Sequence, residues 1–301
     1  MQRIVGFILL LTVSHQGVWA EPDNDHNNDQ NDLSSFFPQT IPSSYDDVAE
    51  IYARADAEAL LARHKPSIFL IIDDLGDNYS LAKRLIDLPV KLNLSVLPNT
   101  PFAGRLAELG HQKGHDIMLH LPMEAKSRND LLGKGALFSQ LDERDTLAIF
   151  RQNLQQIPFV KGFNNHMGSV LTQSHKHMNW LMKSAAEQQL YFVDSRTIAG
   201  SVAHQVAQQK GVQTLSRDIF LDPVADSVSV HQQLSHALSI ADRRGHVVII
   251  GHPQADTVEV LEQQLPEIAR HYQLRTISGF WRETTSTKPD KIKDITAGLA
   301  E

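Results

Sequence analysis

The chain has 301 residues, 42% of them hydrophobic, with 28 Lys and Arg against 35 Asp and Glu, a net charge of -7, and no cysteine. Such a length and composition support one large domain or two modest ones, each able to bury a core. The absent cysteines exclude disulfides and thiolate-held metal, and nothing in the charge balance supplies the basic surface that a nucleic-acid partner requires.

Residues 1–20 read as a secretory signal peptide: Arg3 gives a positive start, residues 4–13 are apolar apart from Gly6 and Thr12, and Val18-Trp19-Ala20 ends on a small residue. An apolar run of about ten residues is too short for a bilayer, which needs about 20. The expectation is an exported protein, periplasmic or secreted, with no membrane span after cleavage. Residues 21–50 hold eight acids and no Lys or Arg among Asn, Ser and Pro, so 21–44 read as a disordered acidic leader. Without the signal and these acids the remaining charges balance. Residues 45–65 are Ala-rich, and their pattern predicts one amphipathic helix.

Beyond residue 66 apolar, β-branched runs alternate with helical patterns. Strands are expected near 67–73, 90–97, 115–120, 159–164, 190–194, 212–216, 246–251 and 272–277. Helices are expected near 78–88, 101–112, 141–156, 174–188, 200–209, 227–243 and 255–270. This βα alternation over 66–280 implies an α/β domain with a parallel sheet, either a closed (β/α) barrel or an open doubly wound sheet. Residues 281–301 read as a polar tail.

The out-of-place polar residues stand where strands end: Asp73 and Asp74, His120, Asn164, Asn165 and His166, Asp194, Arg217 and Asp218, and His252. In either architecture these carboxyl ends face one side, where such folds build sites. Asp74 and His120 are candidate metal ligands, with His166 or Glu124 as the third. Mixed imidazole and carboxylate donors suit a divalent ion, zinc foremost. Asp73 is then placed as general base, and His252 as general acid with Asp194 or Asp218 orienting its ring. Asn164, Asn165, Ser169 and Arg217 are candidate substrate contacts. That set describes hydrolysis of an acyl group by activated water. A serine mechanism lacks its G-x-S-x-G elbow, since His166-Met167-Gly168-Ser169 has no first glycine. His111, His115, His175, His177, His231 and His236 read as solvated surface.

Six segments together resemble the NodB-type polysaccharide deacetylases, most of all their divergent branch of secreted bacterial proteins: IDDLG (72–76), LHLPME (119–124), NNHMGS (164–169), VDSRT (193–197), SRDIFLD (216–222) and GHP (251–253). The resemblance covers about 66–280. It implies a distorted (β/α) barrel of about seven strands and metal-dependent removal of acetyl groups from amino sugars of a polysaccharide or peptidoglycan-type glycan. Asp73 matches the family's base, Asp74 its metal-binding Asp, His120 its first metal-binding His and His252 its acid. Two features depart from the usual family. Glu124 stands where a second metal-binding His is usual, and NNHMGS replaces the usual Arg-x-Pro-Tyr motif. The alternative reading is a non-catalytic envelope protein that keeps the barrel to bind a glycan or a partner.

Overall fold

Residues 65–286 are described by the computed structural model; the expected signal, leader and N-terminal helix lie outside them apart from Lys65. The apolar runs form nine strands, and every pairing among them is parallel. They are β1 (Ser67–Leu75), β2 (Asn93–Val96), β3 (Asp116–Met123), β4 (Val160–Met167), β5 (Tyr191–Asp194), β6 (Thr214–Ser216), β7 (Ile219–Phe220), β8 (His246–Gly251) and β9 (Gln273–Leu274). The sheet order is β6-β5-β4-β3-β2-β1-β8-β7, with β9 pairing the start of β1.

The first seven helices connect the strands: α1 (Tyr79–Ile86), α2 (Ala103–Gln112), α3 (Glu143–Gln156), α4 (His175–Glu187), α5 (Ala203–Gln209), α6 (Ser227–Arg244) and α7 (Ala255–His271). Asn78, Asp142, Ser174 and Asp226 open four of them by accepting the backbone N–H three residues on.

Strand alternation sorts the apolar side chains into two cores. Ile68, Leu70 and Ile72 pack with the helices in the larger one. Phe69, Ile71, Met118, Tyr191, Val193, Val248 and Ile250 pack with one another in the smaller, which fills the concave side of the curled sheet. The sheet's two edge strands, β6 and β7, are joined by only Arg217 and Asp218. Arg217 N–H donates to the Asp194 carbonyl and Asp218 N–H to that of Val248, so these residues bridge the last gap in an otherwise nearly closed barrel.

One helix was not anticipated: α8 (Ile277–Ser286) begins inside the expected last strand and takes in the start of the expected tail. Its Ile277, Phe280 and Trp281 complete the inner core from the end where strands begin. Asn93 accepts the Ile277 N–H, and Asp116 accepts both the N–H and the hydroxyl of Ser278 as well as the Tyr191 hydroxyl. Buried polar groups thus hold the plug in place.

His115 and His177 correct the reading of surface histidines, since both are buried. His177 sits one turn into α4, where Ser174 and the Leu141 carbonyl take its ring nitrogens. His115 Nδ1 accepts the Leu92 N–H at 3.1 Å, and its Nε2–H donates to the Ile86 carbonyl at 2.9 Å. Burial lowers its pKa from 6.5, outweighing the Ile86 contact. As pH falls the unfolded chain takes the proton first, so the stability His115 contributes is whole above about 6.5 and is lost as pH falls through the lower folded value. His115→Asn should cost about 1–2 kcal/mol at pH 7.5. In urea unfolding that deficit should shrink at pH 5.5; a deficit equal at both pH values would contradict this account.

Candidate active site

β1 delivers two carboxylates because its end abandons the strand's alternation. Phe69 and Ile71 face the interior, so Asp73 does too. Asp74 would point outward, but its φ of 54° lies in the left-handed region, and the register with β2 shifts between Ile72 and Leu75. Asp is among the few non-glycine residues that adopt this conformation readily. Gly76 follows at φ +144°, where a Cβ would stand 1.9 Å from Thr100 Oγ1, so the turn requires glycine.

Asp74 Oδ1 lies 3.1 Å from His120 Nε2 and 2.9 Å from His166 Nδ1, and the two nitrogens are 3.2 Å apart. Donors on a tetrahedral ion with bonds of about 2.0–2.1 Å stand roughly 3.3 Å from one another, so this triangle has the size of one ligand face. Among the described residues these three form the one cluster of carboxylate and imidazole donors with that spacing.

Proton accounting supports a cation there. Asp73 is buried, and its Oδ1 accepts from Asn164 Nδ2 at 2.8 Å, which fixes the amide's orientation. Asn164 Oδ1 therefore accepts, from Ser95 Oγ at 2.6 Å and from His120 Nδ1 at 2.8 Å. With its proton on Nδ1, a neutral His120 aims the Nε2 lone pair at a carboxylate oxygen. Asp74 Oδ1 is itself buried without a hydrogen bond, as is His166 Nε2. Opposed lone pairs at that distance repel unless a cation lies among them. Burial would raise the Asp74 pKa, but His120 and His166 outweigh it and hold the carboxyl far below the usual range. Burial likewise opposes charge on His120, yet Asp73, Asp74 and Asn164 draw its pKa upward, so that without a metal ion a proton on Nε2 serves as the cation the site calls for.

Across the mouth, His252 Nε2 lies 3.9 Å from Asp74 Oδ2. Its Nδ1 bonds Asp222 Oδ1 at 2.9 Å, while Asp222 Oδ2 accepts the His252 N–H and the Thr257 hydroxyl. Burial disfavours the charged ring, but the Asp222 hydrogen bond and the charges of Asp73, Asp222 and Asp74 raise its pKa to about 9. His252 is therefore protonated at neutral pH. A cavity of about 460 Å³ joins these groups, lined by Asp73, Asp74, His120, His166, Arg217 and His252 among others.

Several expected roles change. Glu124 is not beside Asp74 and His120; past the end of β3 its Oε2 accepts the Ser139 N–H instead, and His166 takes the third place. Asp194 does not orient His252: it accepts from Arg196 N–H, Ser201 Oγ and His204 N–H, at the start of α5. Asp218 is held by Arg244 and the Val248 N–H. The orienting carboxylate is Asp222, inside the SRDIFLD segment but unassigned from sequence. Asn164 is wholly buried and positions Asp73 and His120 rather than reaching a substrate. Asn165 ties the Met167 carbonyl to the Ser195 N–H, and Ser169 accepts the Lys126 N–H, so both brace loops, although Asn165 also borders the cavity. Arg217 does line the cavity.

The profile of a family described as divergent polysaccharide deacetylase matches residues 70–281. The chain belongs to that family. It is 32% identical over 238 residues to the uncharacterized protein YibQ of Escherichia coli, covering 77% of this chain and 74% of YibQ. It is 31% identical over 224 residues to an uncharacterized protein of Haemophilus influenzae, covering 73% and 78% of the two chains. The fold is shared with the crystal structure of the uncharacterized protein ATU2773 from Agrobacterium tumefaciens, at a TM-score of 0.68 and 18% identity over 74% of this chain and 94% of that one. This member of the divergent polysaccharide deacetylase family therefore pairs an α/β barrel with an Asp-His-His cluster of metal-type donors.

The geometry predicts one divalent ion per chain by elemental analysis after dialysis. Asp74→Ala and His166→Ala should each weaken zinc binding by about 100-fold or more, since even residues behind the ligands are worth about 10–100-fold. Glu124→Gln should leave it nearly unchanged; the reverse pattern would restore Glu124 as the third ligand.

Proposed function

We propose that this protein is an exported hydrolase that removes acetyl groups from amino sugars of a cell-envelope glycan, with zinc held by Asp74, His120 and His166. The observation that carries this reading is the meeting of an amide-held carboxylate, three metal-type donors and a carboxylate-backed imidazole around one cavity. Family membership supports the glycan, and the N-terminal signal pattern supports export. When bound, the ion would supply Lewis-acid chemistry, polarising the acyl carbonyl and making water more acidic.

The chain's own groups account for the proton movements. Asp73, held by Asn164 Nδ2, accepts a proton from the attacking water. As the carbon–nitrogen bond breaks, His252 delivers the proton on Nε2 to the leaving amine, while Asp222 keeps the proton on Nδ1 and steadies the charged ring. The products are acetate and a free amino sugar. The two departures from the usual family that favour a non-catalytic reading have local substitutes. His166 occupies the third donor position, and the Asn164 amide holds the base where the Arg motif is missing.

The test is acetate release from acetylated chito-oligosaccharides and from peptidoglycan by zinc-loaded protein. Asp73→Asn should lower kcat by about 10²–10⁴-fold, the usual worth of a positioned base. In the wild type, activity should fall on the alkaline side, as His252 loses the proton that Asp222 helps it hold. Asp222→Asn removes the carboxylate charge that strengthens this hydrogen bond and raises the pKa, so its alkaline limb should move toward lower pH. Metal-loaded protein that releases no acetate from either substrate, or full activity in Asp73→Asn, would overturn the reading.

A further inference from the structure

A second cavity, of about 430 Å³, opens where the barrel is bridged between β6 and β7. Its lining includes three guanidinium groups, Arg196, Arg217 and Arg244, against one carboxylate, Asp218. Arg244 Nη1 takes Asp218 at 2.6 Å. Among the described residues, neither Arg196 nor Arg217 makes an ion pair with a carboxylate. Arg217 spends Nε on the Ser195 carbonyl at 2.7 Å and Nη2 on the Arg196 carbonyl at 3.0 Å, which leaves Nη1 to donate elsewhere. A half-buried guanidinium beside a second one is costly, and burial together with Arg196 pulls the Arg217 pKa below its ordinary value even against the charges of Asp73, Asp194 and Asp218.

Both arginines also line the cavity that holds Asp73 and His252. Arg217 is fixed there: its Cζ lies 5.2 Å from the Phe220 ring centroid, and Phe220 in turn packs edge-on against the His252 ring at 5.2 Å. One aromatic ring therefore separates this positive site from the acid. A planar fork with a free donor, supported by backbone carbonyls and next to a second exposed guanidinium, matches the oxygens of an oxyanion.

We propose that Arg196 and Arg217 form an anion subsite, shared by the two cavities, which binds a carboxylate or phosphate carried by the glycan near its acylated nitrogen. This rests on the glycan reading above and narrows it, from any acetylated sugar polymer to an anionic one. Two arginines that make no ion pair with a carboxylate among the described residues, at one rim, also set the substrate's direction of approach, with the anion at the β6–β7 seam and the acetyl group over Asp74.

The experiment compares, by calorimetry on the zinc-loaded protein, a neutral tetra-N-acetylchitotetraose with glycan strands of equal length bearing muramic-acid carboxylates, and with the same strands phosphorylated. The expected result is about tenfold tighter binding of one anionic strand than of the neutral one, weakening with salt. The tighter of the two identifies the source of the charge. In Arg196→Gln and Arg217→Gln that preference should fall below about threefold. Because Arg217 also braces the 195–196 loop, Arg196→Gln is the decisive variant: its side chain can be changed while its backbone contacts stay. Equal affinity for neutral and anionic strands, or a preference that survives both substitutions, would overturn the subsite. A separate titration with inorganic phosphate, following the Arg217 Nε–Hε resonance, distinguishes the two levels. A saturating shift that disappears in Arg196→Gln supports the anion site even if no glycan binds, in which case the glycan reading alone fails. No shift overturns the anion site whatever the glycan does.

Discussion

Two adjacent carboxylates cannot leave water at the end of an apolar strand unless donors or cations meet each of them. The structure meets the two in different ways. Asp73 keeps the strand's inward direction and is received by one carboxamide, that of Asn164. Asp74, turned by its left-handed backbone, faces two imidazole nitrogens, and only a cation shared among the three meets it. The two arrangements are coupled, because the oxygen of the same carboxamide fixes the proton on His120 and thereby frees Nε2 for Asp74's side of the site. Ser95 supplies the last hydrogen bond that this buried amide needs. One side chain of β4 thus sets the direction of a carboxylate on β1 and the tautomer of a histidine on β3.

The strands and most helices were legible because a parallel sheet buried on both faces writes long apolar, β-branched runs, and their ends announced where the polar residues collect. Parity within those runs carried more than was read from it. In β5, Tyr191 and Val193 face the interior, so Asp194 has to face α5, and its acceptors are used there. In β4, Phe163 packs with the helices, which sends Asn164 and His166 inward together. Asp222 was harder to see: β7 has only two residues, too few to establish a pattern, and an acid just past such a strand resembles an ordinary turn residue. The choice between Glu124 and His166 lay beyond local sequence altogether, since it depends on how β1, β3 and β4 align, and no short-range spacing encodes that.

The barrel's two ends divide the work. At the end where strands finish, buried polar groups converge with incomplete internal satisfaction, as Asp74 Oδ1 and His166 Nε2 display. At the other end Asn93 and Asp116 are equally buried, yet their partners all come from within the protein, including backbone N–H groups of α8. The same chemistry of sequestered acids and amides therefore serves a reactive mouth at one pole and a fastening at the other.

That fastening has a consequence for how the chain comes to be folded. The lock between Ile277 and Asn93 joins residues 184 apart in sequence, and β1, the strand at the heart of the sheet, pairs with β8 and β9 near the end of the described chain. While the chain is still growing on the ribosome, Phe69 and Ile71 lack the neighbours that would cover them, and the polar groups beneath them lack their donors. The inner core is completed only once α8 is present, and pairings so distant in sequence form slowly. A chain that has made β1 to β5 but not yet β8, β9 and α8 therefore leaves β1 without its later partners and the inner core uncovered.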